Sequence, residues 1–217
     1  MKGLFIALEG IDGCGKSTQL NLLKEWLPKS GLMPRSSNIH ATREPGGTNL
    51  GLAIRELLLI PQEKQTPKPL TELLLYASDR AQHVSELILP NLQKGNWVLT
   101  DRFSGSTLAY QGYGRGLDLD VLEPIIGTYI KPYTPDFTLL LTISPETVFK
   151  RLKKRKENLK TDRLDQESLG FFEKVSKGFL AIASSEKERI FCINGEQKIE
   201  DIHKDIINLL SLKLNIP

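Results

Sequence analysis

The sequence predicts an α/β protein built on a central parallel sheet of about five strands. Four apolar runs, at 4–8, 97–99, 137–143 and 190–193, are short and continuous, and a weaker fifth run covers 39–42. Such runs are typical of strands that are buried on both faces. Longer segments with the 3.6-residue period of a helix lie between them. Because strands and helices alternate, we expect crossover helices on both faces of the sheet, which gives three layers.

The composition is that of an ordinary globular protein. The chain has 217 residues, of which 40% are hydrophobic and 25% charged, and this excludes disordered and low-complexity proteins. Its two cysteines are too few and too far apart for a disulfide framework or a cysteine-rich zinc site. Glu9 interrupts the apolar start before it reaches signal-peptide length, and no run approaches the ~20 apolar residues of a membrane span. We expect one domain over 1–217, cytoplasmic and without a membrane partner.

The first predicted strand leads into a glycine-rich loop and then into a helix. Residues 10–17 fit the pattern G-x-x-x-x-G-K-[ST], in which backbone N–H groups converge on phosphate oxygens at a helix N-terminus. The alternative is a glycine-rich turn capped by Ser17. The strand-loop-helix setting favours a P-loop NTPase fold, with an ATP-binding loop formed by Gly10, Ile11, Asp12, Gly13, Cys14, Gly15, Lys16, Ser17 and Thr18.

Two residues of this loop are predicted to act directly on the nucleotide. Lys16 is expected to reach the β- and γ-phosphates and to be catalytic, and the Ser17 hydroxyl is expected to bind Mg²⁺. Cys14 is interpreted as a small loop residue and not as a nucleophile.

The second predicted strand runs into the turn R-E-P-G-G at 43–47, and the third ends at Asp101. A carboxylate at the end of a buried strand is where P-loop enzymes hold Mg²⁺, so Asp101 is the second predicted metal ligand. A strand-terminal Asp is also commonly a cap, and that alternative stays open. Arg102 follows directly, close enough to the predicted phosphate site for a catalytic role.

A concentrated basic segment follows the fourth predicted strand. Residues 150–163 hold eight Lys or Arg against two acidic residues, whereas the whole chain holds 29 against 26; the rest of the chain is therefore acidic. The segment fits a solvated helix end, a nucleic-acid patch or a mobile lid. No aromatic residue interleaves it, which disfavours nucleic acid. After the fifth strand, Asn194 and Gly195 mark a place where the adenine base can lie.

Several motifs together resemble the thymidylate kinase family. They are E-G-I-D-G-C-G-K-S-T at 9–18, T-R-E-P-G-G-T at 42–48, L-Y-A-S-D-R at 75–80, D-R-F at 101–103, A-Y-Q-G at 109–112 and D-R-L-D at 162–165. The resemblance runs in register from the first strand to the last helix. It implies ATP-dependent conversion of dTMP to dTDP in dTTP biosynthesis, with Mg²⁺, and a homodimer. A GTPase is disfavoured because the guanine motif N-K-x-D is missing from the sequence.

The resemblance also implies roles for residues outside the phosphate loop. Arg43 and Arg102 would hold the 5′-phosphate of dTMP, which suits the fork-shaped guanidinium, and Asp12 would contact the 3′-hydroxyl. The base would be bound by Tyr76, Arg80, Ser106 and Gln111, the tyrosine stacking on thymine and Arg80 donating to its O4. Tyr110 would crowd the 2′ position of the sugar. Without the resemblance, both tyrosines also fit a core and Arg80 a helix surface.

Three positions carry the family's variable features. Position 76 is Tyr where Phe is frequent, and position 103 is Phe where Tyr is common. Position 13 is Gly, so the phosphate loop has no arginine of its own and the catalytic arginine is expected in the lid, at about 150–163. Arg155 is the predicted residue, with Arg151 and Arg163 as alternatives.

Two further functions remain open on the sequence alone. One is a nucleoside monophosphate kinase of another specificity. The other is a non-catalytic phosphate-loop protein whose basic segment binds nucleic acid.

Overall fold

The computed structural model of the chain describes residues 3–59, 66–130, 133–156 and 163–214, without the side chains of 128–130, 153–156 and 165. Within these residues, parallel strands form a sheet of order β2-β3-β1-β4-β5. The strands are β1 Phe5–Glu9, β2 Ile39–Arg43, β3 Trp97–Asp101, β4 Phe137–Thr142 and β5 Ile190–Asn194. The predicted parallel sheet of about five strands is confirmed.

Helices connect successive strands of the sheet. In the described part of the chain they are α1 Lys16–Trp26, α2 Asn49–Leu59, α3 Pro69–His83, α4 Leu89–Gln93, α5 Ser104–Thr107, α6 Leu119–Ile130, α7 Pro145–Lys156, α8 Leu169–Ser185 and α9 Ile199–Lys213. Helix α7 contains the first part of the predicted lid, and residues 157–162 of the lid lie outside the described residues. None of the described helices is long and apolar enough to cross a membrane.

Both faces of the sheet are covered. Ile6 and Leu8 of β1 belong to a hydrophobic cluster with residues of α1, α8 and α9, whereas Phe5 and Ala7 belong to a second cluster with residues of α3 and α6. Successive side chains of a strand point to opposite faces, so this division confirms the three layers. It also explains why the strands are continuous apolar runs without alternation.

The topology gathers the predicted site at the edge of the sheet that is formed by the carboxyl ends of its strands. Strand β1 lies between β3 and β4, and the chain passes to opposite sides of β1 in its two halves, which is where open α/β sheets bind ligands. In register, Leu8 and Arg43 both pair with Asp101. The phosphate loop, the turn after β2 and the segment after β3 therefore meet at this edge.

Two helices contain π-helical turns that the apolar period does not predict. Helix α3 continues through Val84–Ile88 into α4, and α5 continues through Leu108–Gly114. π-Helical turns occur frequently at functional sites, and the second of these segments carries Tyr110 and Gln111. Tyr110 of this segment hydrogen-bonds to Asp12 of the phosphate loop, and Gln111 hydrogen-bonds to Glu72 of α3.

Candidate active site

The phosphate loop requires its glycines for two reasons. Gly10, Gly13 and Gly15 have φ of 136°, 77° and 105°, values that side chains strongly disfavour. A Cβ at Gly10 would lie 2.5 Å from the Leu141 carbonyl oxygen. The loop therefore curves tightly over β4, and Gly15 leads directly into α1.

Lys16 lies inside the curve of this loop. Its Nζ donates to the carbonyl oxygens of Gly10 and Ile11 at 3.0 and 2.9 Å and approaches the Cys14 Sγ at 3.7 Å. The lysine is buried, whereas Ser17 and Thr18 in the first turn of α1 are exposed. The ammonium is thus held at the centre of the loop, where phosphate groups bind in P-loop proteins.

Ser17 and Asp101 bring two side-chain oxygens together beside the loop. The Ser17 hydroxyl donates to Asp101 Oδ2 at 2.6 Å. Hydroxyl and carboxylate oxygens are hard ligands of the kind Mg²⁺ prefers, and Mg²⁺ is commonly held by one or two protein oxygens together with phosphate and water. The two predicted metal residues are adjacent and chemically suited to the ion.

Arg102 joins the phosphate loop to the segment after β3. Its φ of 76° is left-handed, a conformation uncommon for a residue other than glycine. Nη1 donates to the Gly10 carbonyl and the Ser106 hydroxyl, both at 2.9 Å. Nη2 donates to Asp12 Oδ1 at 2.6 Å and to the Tyr110 hydroxyl at 3.1 Å. A phosphate bound here would use Nε–H or replace one of these four acceptors.

The charges around Arg102 fix the protonation of its neighbours. Burial acts to raise the pKa of Asp12, but the Arg102 guanidinium and the Lys16 ammonium hold it well below its usual range. Burial, together with Asp12, raises the pKa of Tyr110, so the phenol stays protonated and donates to Asp12 Oδ2 at 2.7 Å. Asp12 is a fixed acceptor at this site.

A pocket next to Arg102 is lined by six of the eight predicted substrate residues. They are Tyr76, Arg80, Arg102, Ser106, Tyr110 and Gln111, joined by Glu44, Thr107 and Leu164. Asp12 is not among the lining residues, but it accepts hydrogen bonds from two that are, Arg102 and Tyr110. Arg43 ends β2 at the same edge of the sheet; it is exposed, and no described residue hydrogen-bonds to its guanidinium.

Arg80 is a buried residue, which rules out the alternative of a helix-surface charge. It is 2% exposed and donates to Glu44 Oε2 at 2.7 Å, to the Thr107 hydroxyl at 2.9 Å and to the Phe103 carbonyl at 2.9 Å. A guanidinium has five N–H donors, so two remain beyond these bonds. Tyr110 is both a core residue and a site residue. Its ring packs on Phe171, and its hydroxyl belongs to the polar site.

Glu9 is a site residue that the sequence did not single out. One carboxylate oxygen accepts from the backbone N–H groups of Phe103 and Ser106 at 2.9 and 3.0 Å, and the other accepts from the Ser106 hydroxyl at 2.5 Å. Burial raises the pKa of this carboxyl. It fastens the segment after β3 to the end of β1. A charged residue ending a strand that is otherwise buried was the available signal.

His83 of α3 holds the T-R-E-P-G-G-T turn. His83 bridges Glu44 Oε1 at 2.9 Å and the Thr42 hydroxyl at 2.8 Å. A Cβ at Gly47 would lie 2.5 Å from the His83 ring, so this glycine is needed for close packing. His83 is fully buried and belongs to the hydrogen-bond network of the turn.

Glu72 is a second buried carboxylate that the sequence does not single out. It accepts from Gln111 Nε2 at 2.7 Å and from Arg115 Nε at 3.1 Å, and it pairs with the Arg163 guanidinium. Burial acts to raise the pKa of Glu72, but Arg115 and Arg163 lower it. A lone Glu in a helix carries no sequence signal of this role, since all three of these partners come from distant segments.

The lid arginines lie in different surroundings. Arg151 donates to the Gly13 carbonyl at 3.1 Å and to the Gly195 carbonyl at 3.4 Å, so it lies against both the phosphate loop and the segment after β5. Arg163 is bound to Glu72 and to the Leu58 carbonyl. The helix backbone of α7 passes through Arg155, whose side chain lies outside the described residues.

Known thymidylate kinases are similar to this chain over most of its length. The family model for thymidylate kinase matches residues 8–206. A thymidylate kinase of Prochlorococcus marinus (strain MIT 9313) is 49% identical over 203 residues, which are 93% of this chain and 91% of that protein. One of Synechococcus sp. (strain WH7803) is 54% identical over 184 residues, 85% of this chain and 84% of that protein.

A solved structure extends the similarity to the whole fold. The crystal structure of thymidylate kinase from Ehrlichia chaffeensis matches with a TM-score of 0.76 and 31% identity, covering 97% of this chain and 100% of that one. The family match spans most of the chain and includes every strand of the sheet except the first residues of β1. The chain belongs to the thymidylate kinase family, whose members are phosphotransferases.

Proposed function

We propose that this chain transfers the γ-phosphoryl group of ATP to dTMP, forming dTDP and ADP in dTTP biosynthesis. The observation that carries this proposal is the position of Arg102. Its guanidinium bonds to Gly10 of the phosphate loop and to Ser106 and Tyr110 of the neighbouring pocket. A donor bound at the loop and an acceptor bound in the pocket would bring their phosphates together at this side chain.

The reaction requires alignment and charge neutralisation and no general base. The second pKa of a phosphate monoester is about 6, so the acceptor oxygen is largely ionised at neutral pH. The barrier lies in bringing one polyanion to another. Lys16 and Arg102 supply fixed positive charge on the two sides of that contact, which is why we assign both to catalysis.

The acceptor phosphate is assigned to Arg43 and Arg102. Arg43 is exposed at the end of β2, so its guanidinium is available for a ligand at this edge of the sheet. His83 fixes the turn that follows Arg43. Asp12 would accept from the 3′-hydroxyl, and the protonated Tyr110 next to it would exclude a 2′-hydroxyl.

The base is assigned to the pocket. Tyr76 offers an aromatic face for thymine, and Arg80 has N–H donors left for the O4 oxygen. Burial and the nearby Glu72 raise the pKa of Tyr76, so its ring stays uncharged in this role. Ser106 and Gln111 complete the polar lining.

The donor nucleotide is assigned to the loop from Gly10 to Thr18, with Mg²⁺ on Ser17 and Asp101. The ion would neutralise charge on the triphosphate as a Lewis acid. The loop's own part is to direct backbone N–H groups and the Lys16 ammonium at the phosphates. We place adenine beside Gly195, because Arg151 links that residue to the phosphate loop. Arg155 stays our assignment for the lid.

Assembly and location are part of the proposal. We infer a cytoplasmic homodimer in which 1–217 acts as one kinase domain with no nucleic-acid partner. The packed helices α2 and α3 expose five leucines, each 46–52% exposed: Leu50, Leu52, Leu57, Leu70 and Leu74. Large apolar side chains grouped on a surface are typical of subunit interfaces.

A panel of acceptors tests the activity. The protein is incubated with ATP and Mg²⁺ and one of dTMP, dUMP, AMP or CMP, and release of ADP is followed. We expect the highest kcat/KM with dTMP, and a loss of at least about a hundredfold in Lys16→Ala. Turnover with AMP and none with dTMP would make this a monophosphate kinase of another specificity. Tight, salt-sensitive DNA binding without any turnover would identify a binding protein instead.

A further inference from the structure

The amide of Gln111 is held in one orientation by Glu72. Gln111 is 1% exposed and lines the base pocket, and its Nε2 lies 2.7 Å from Glu72 Oε1. An ionised carboxylate only accepts hydrogen bonds, and a primary amide donates only through its nitrogen. The nitrogen must therefore face Glu72, and the carbonyl oxygen is the atom left for the pocket.

The surroundings of Glu72 keep it ionised and in place. Arg115 donates to both of its oxygens, at 3.1 and 3.3 Å, and Arg163 pairs with it from the end of the predicted lid. Arg115 is itself fixed by Glu167 at 2.7 Å. A buried carboxylate with this set of donors has little freedom to turn, because each donor left unpaired would cost free energy.

An acceptor at this position distinguishes pyrimidines. The ring N3 of thymine and uracil carries a hydrogen, whereas N3 of cytosine is an acceptor. The Gln111 carbonyl oxygen can accept a hydrogen bond from the N3–H of thymine or uracil. It repels the N3 lone pair of cytosine. A site that hydrogen-bonds a substrate N–H rejects analogues that lack it far more strongly than an apolar pocket rejects a missing methyl group.

We propose that Glu72 is a specificity-determining positioning residue, which fixes the Gln111 amide so that the pocket accepts a ring N–H and prefers thymine and uracil to cytosine. The inference rests on the proposed function, which places the base in this pocket. Glu72 acts through Gln111 and is not assigned a contact with the nucleotide.

The test compares kcat/KM for dTMP, dCMP and dUMP in Glu72→Gln. The introduced amide can donate or accept, so Gln111 can turn its nitrogen toward the pocket. We expect the dTMP-to-dCMP ratio to fall by about tenfold or more. The dTMP-to-dUMP ratio should stay within about twofold, because both rings carry N3–H. Glu167→Gln is the matched control: it makes the same change on Arg115 without touching Gln111, and its ratios should remain those of the unchanged protein.

A double variant reverses the pair. Glu72→Gln combined with Gln111→Glu keeps one carboxylate and one amide in contact and again presents an oxygen acceptor to the pocket, so the preference for dTMP over dCMP should return. This variant decides the matter if Glu72→Gln alone does not fold; loss of the preference in it would overturn the proposal.

Three other outcomes of the test would contradict the inference. An unchanged dTMP-to-dCMP ratio in folded Glu72→Gln would do so, as would an equal loss for all three nucleotides or an equal change in Glu167→Gln. Thermal unfolding of each variant establishes that it is folded. Failure of the proposed function is distinguishable, because the unchanged protein would then not phosphorylate dTMP.

Discussion

Single residues at this site are fixed by partners that lie far away in the chain. Asp12 of the phosphate loop, Arg102 after β3 and Tyr110 of the π-helical segment form one hydrogen-bonded group. The guanidinium also stacks on the tyrosine ring, 4.9 Å from its centroid. The left-handed backbone of Arg102 costs about 1–3 kcal/mol, which these contacts offset.

Asp79 is a buried residue whose ionisation should control stability. Its Oδ1 accepts from the Gly46 N–H at 3.0 Å, whereas its Oδ2 is buried and has no partner among the described residues. Burial and the nearby Glu44 raise the pKa of Asp79 to about 6, against the opposing effects of the Gly46 N–H, His83 and Arg80. Its ordinary value is 3.8. A raised carboxyl pKa means that protonation stabilises the fold, and that this stability is lost as the pH rises through about 6.

We therefore predict that Asp79→Asn stabilises the protein at pH 8, by on the order of 2 kcal/mol, and that the difference shrinks toward pH 4. Asn keeps an acceptor for Gly46 and does not ionise. Urea unfolding at several pH values measures the effect, with Asp201→Asn, an exposed position in α9, as the control. Curves for the variant and the unchanged protein that run parallel between pH 4 and 8 would contradict the prediction.

The residues that the sequence predicted differ physically from those it missed. The phosphate loop is predictable because its glycines are required by local backbone conformation, within eight residues. Glu9, Glu72 and His83 were missed because their partners lie far away in sequence. A carboxylate in a helix looks the same in the sequence whether it faces water or two arginines.

Among the elements, strands were predicted well and π-helical turns were not. A strand buried on both faces must be apolar at every position, so its pattern is local. The π-helical turns after α3 and α5 depend on packing against the rest of the fold, which a 3.6-residue period does not include. The second one carries two residues of the candidate site, Tyr110 and Gln111.

Helix α7 is the element on which the catalytic arginine is predicted. Arg151 and Arg155 are four residues apart and so lie on the same face of the helix, and Arg151 already contacts the phosphate loop at Gly13. We predict that Arg155→Ala lowers kcat by about 10²–10³ and changes KM for dTMP by less than about threefold.

Steady-state kinetics with both substrates varied measures this effect. Lys150→Ala removes an exposed cation from the same helix and should leave kcat nearly unchanged. An unaltered kcat in Arg155→Ala would move the catalytic role to Arg151 or Arg163. Arg163 is the weaker of these alternatives, because Glu72 and the Leu58 carbonyl already bind its guanidinium.

The whole molecule is predicted to be a dimer through α2 and α3. Leu57→Glu combined with Leu74→Glu would place two buried charges in that interface, at a cost of several kcal/mol. Light scattering after size-exclusion chromatography should give twice the 24.4 kDa chain mass for the unchanged protein and the single mass for the variant. Leu212→Glu, on the exposed end of α9, is the control and should remain dimeric. A dimer that survives both substitutions would place the interface elsewhere.

The order of the strands has a consequence for synthesis on the ribosome. The phosphate loop emerges before β3 and β4, yet β1 pairs with both, around residues 98–101 and 137–140. Asp101, the hydrogen-bond partner of Ser17, is likewise synthesised much later. Long-range parallel pairing is slow because loop closure must precede it. The nascent chain should therefore acquire affinity for ATP only after β4 has left the exit tunnel, and a stalled chain that ends before residue 137 should not bind nucleotide.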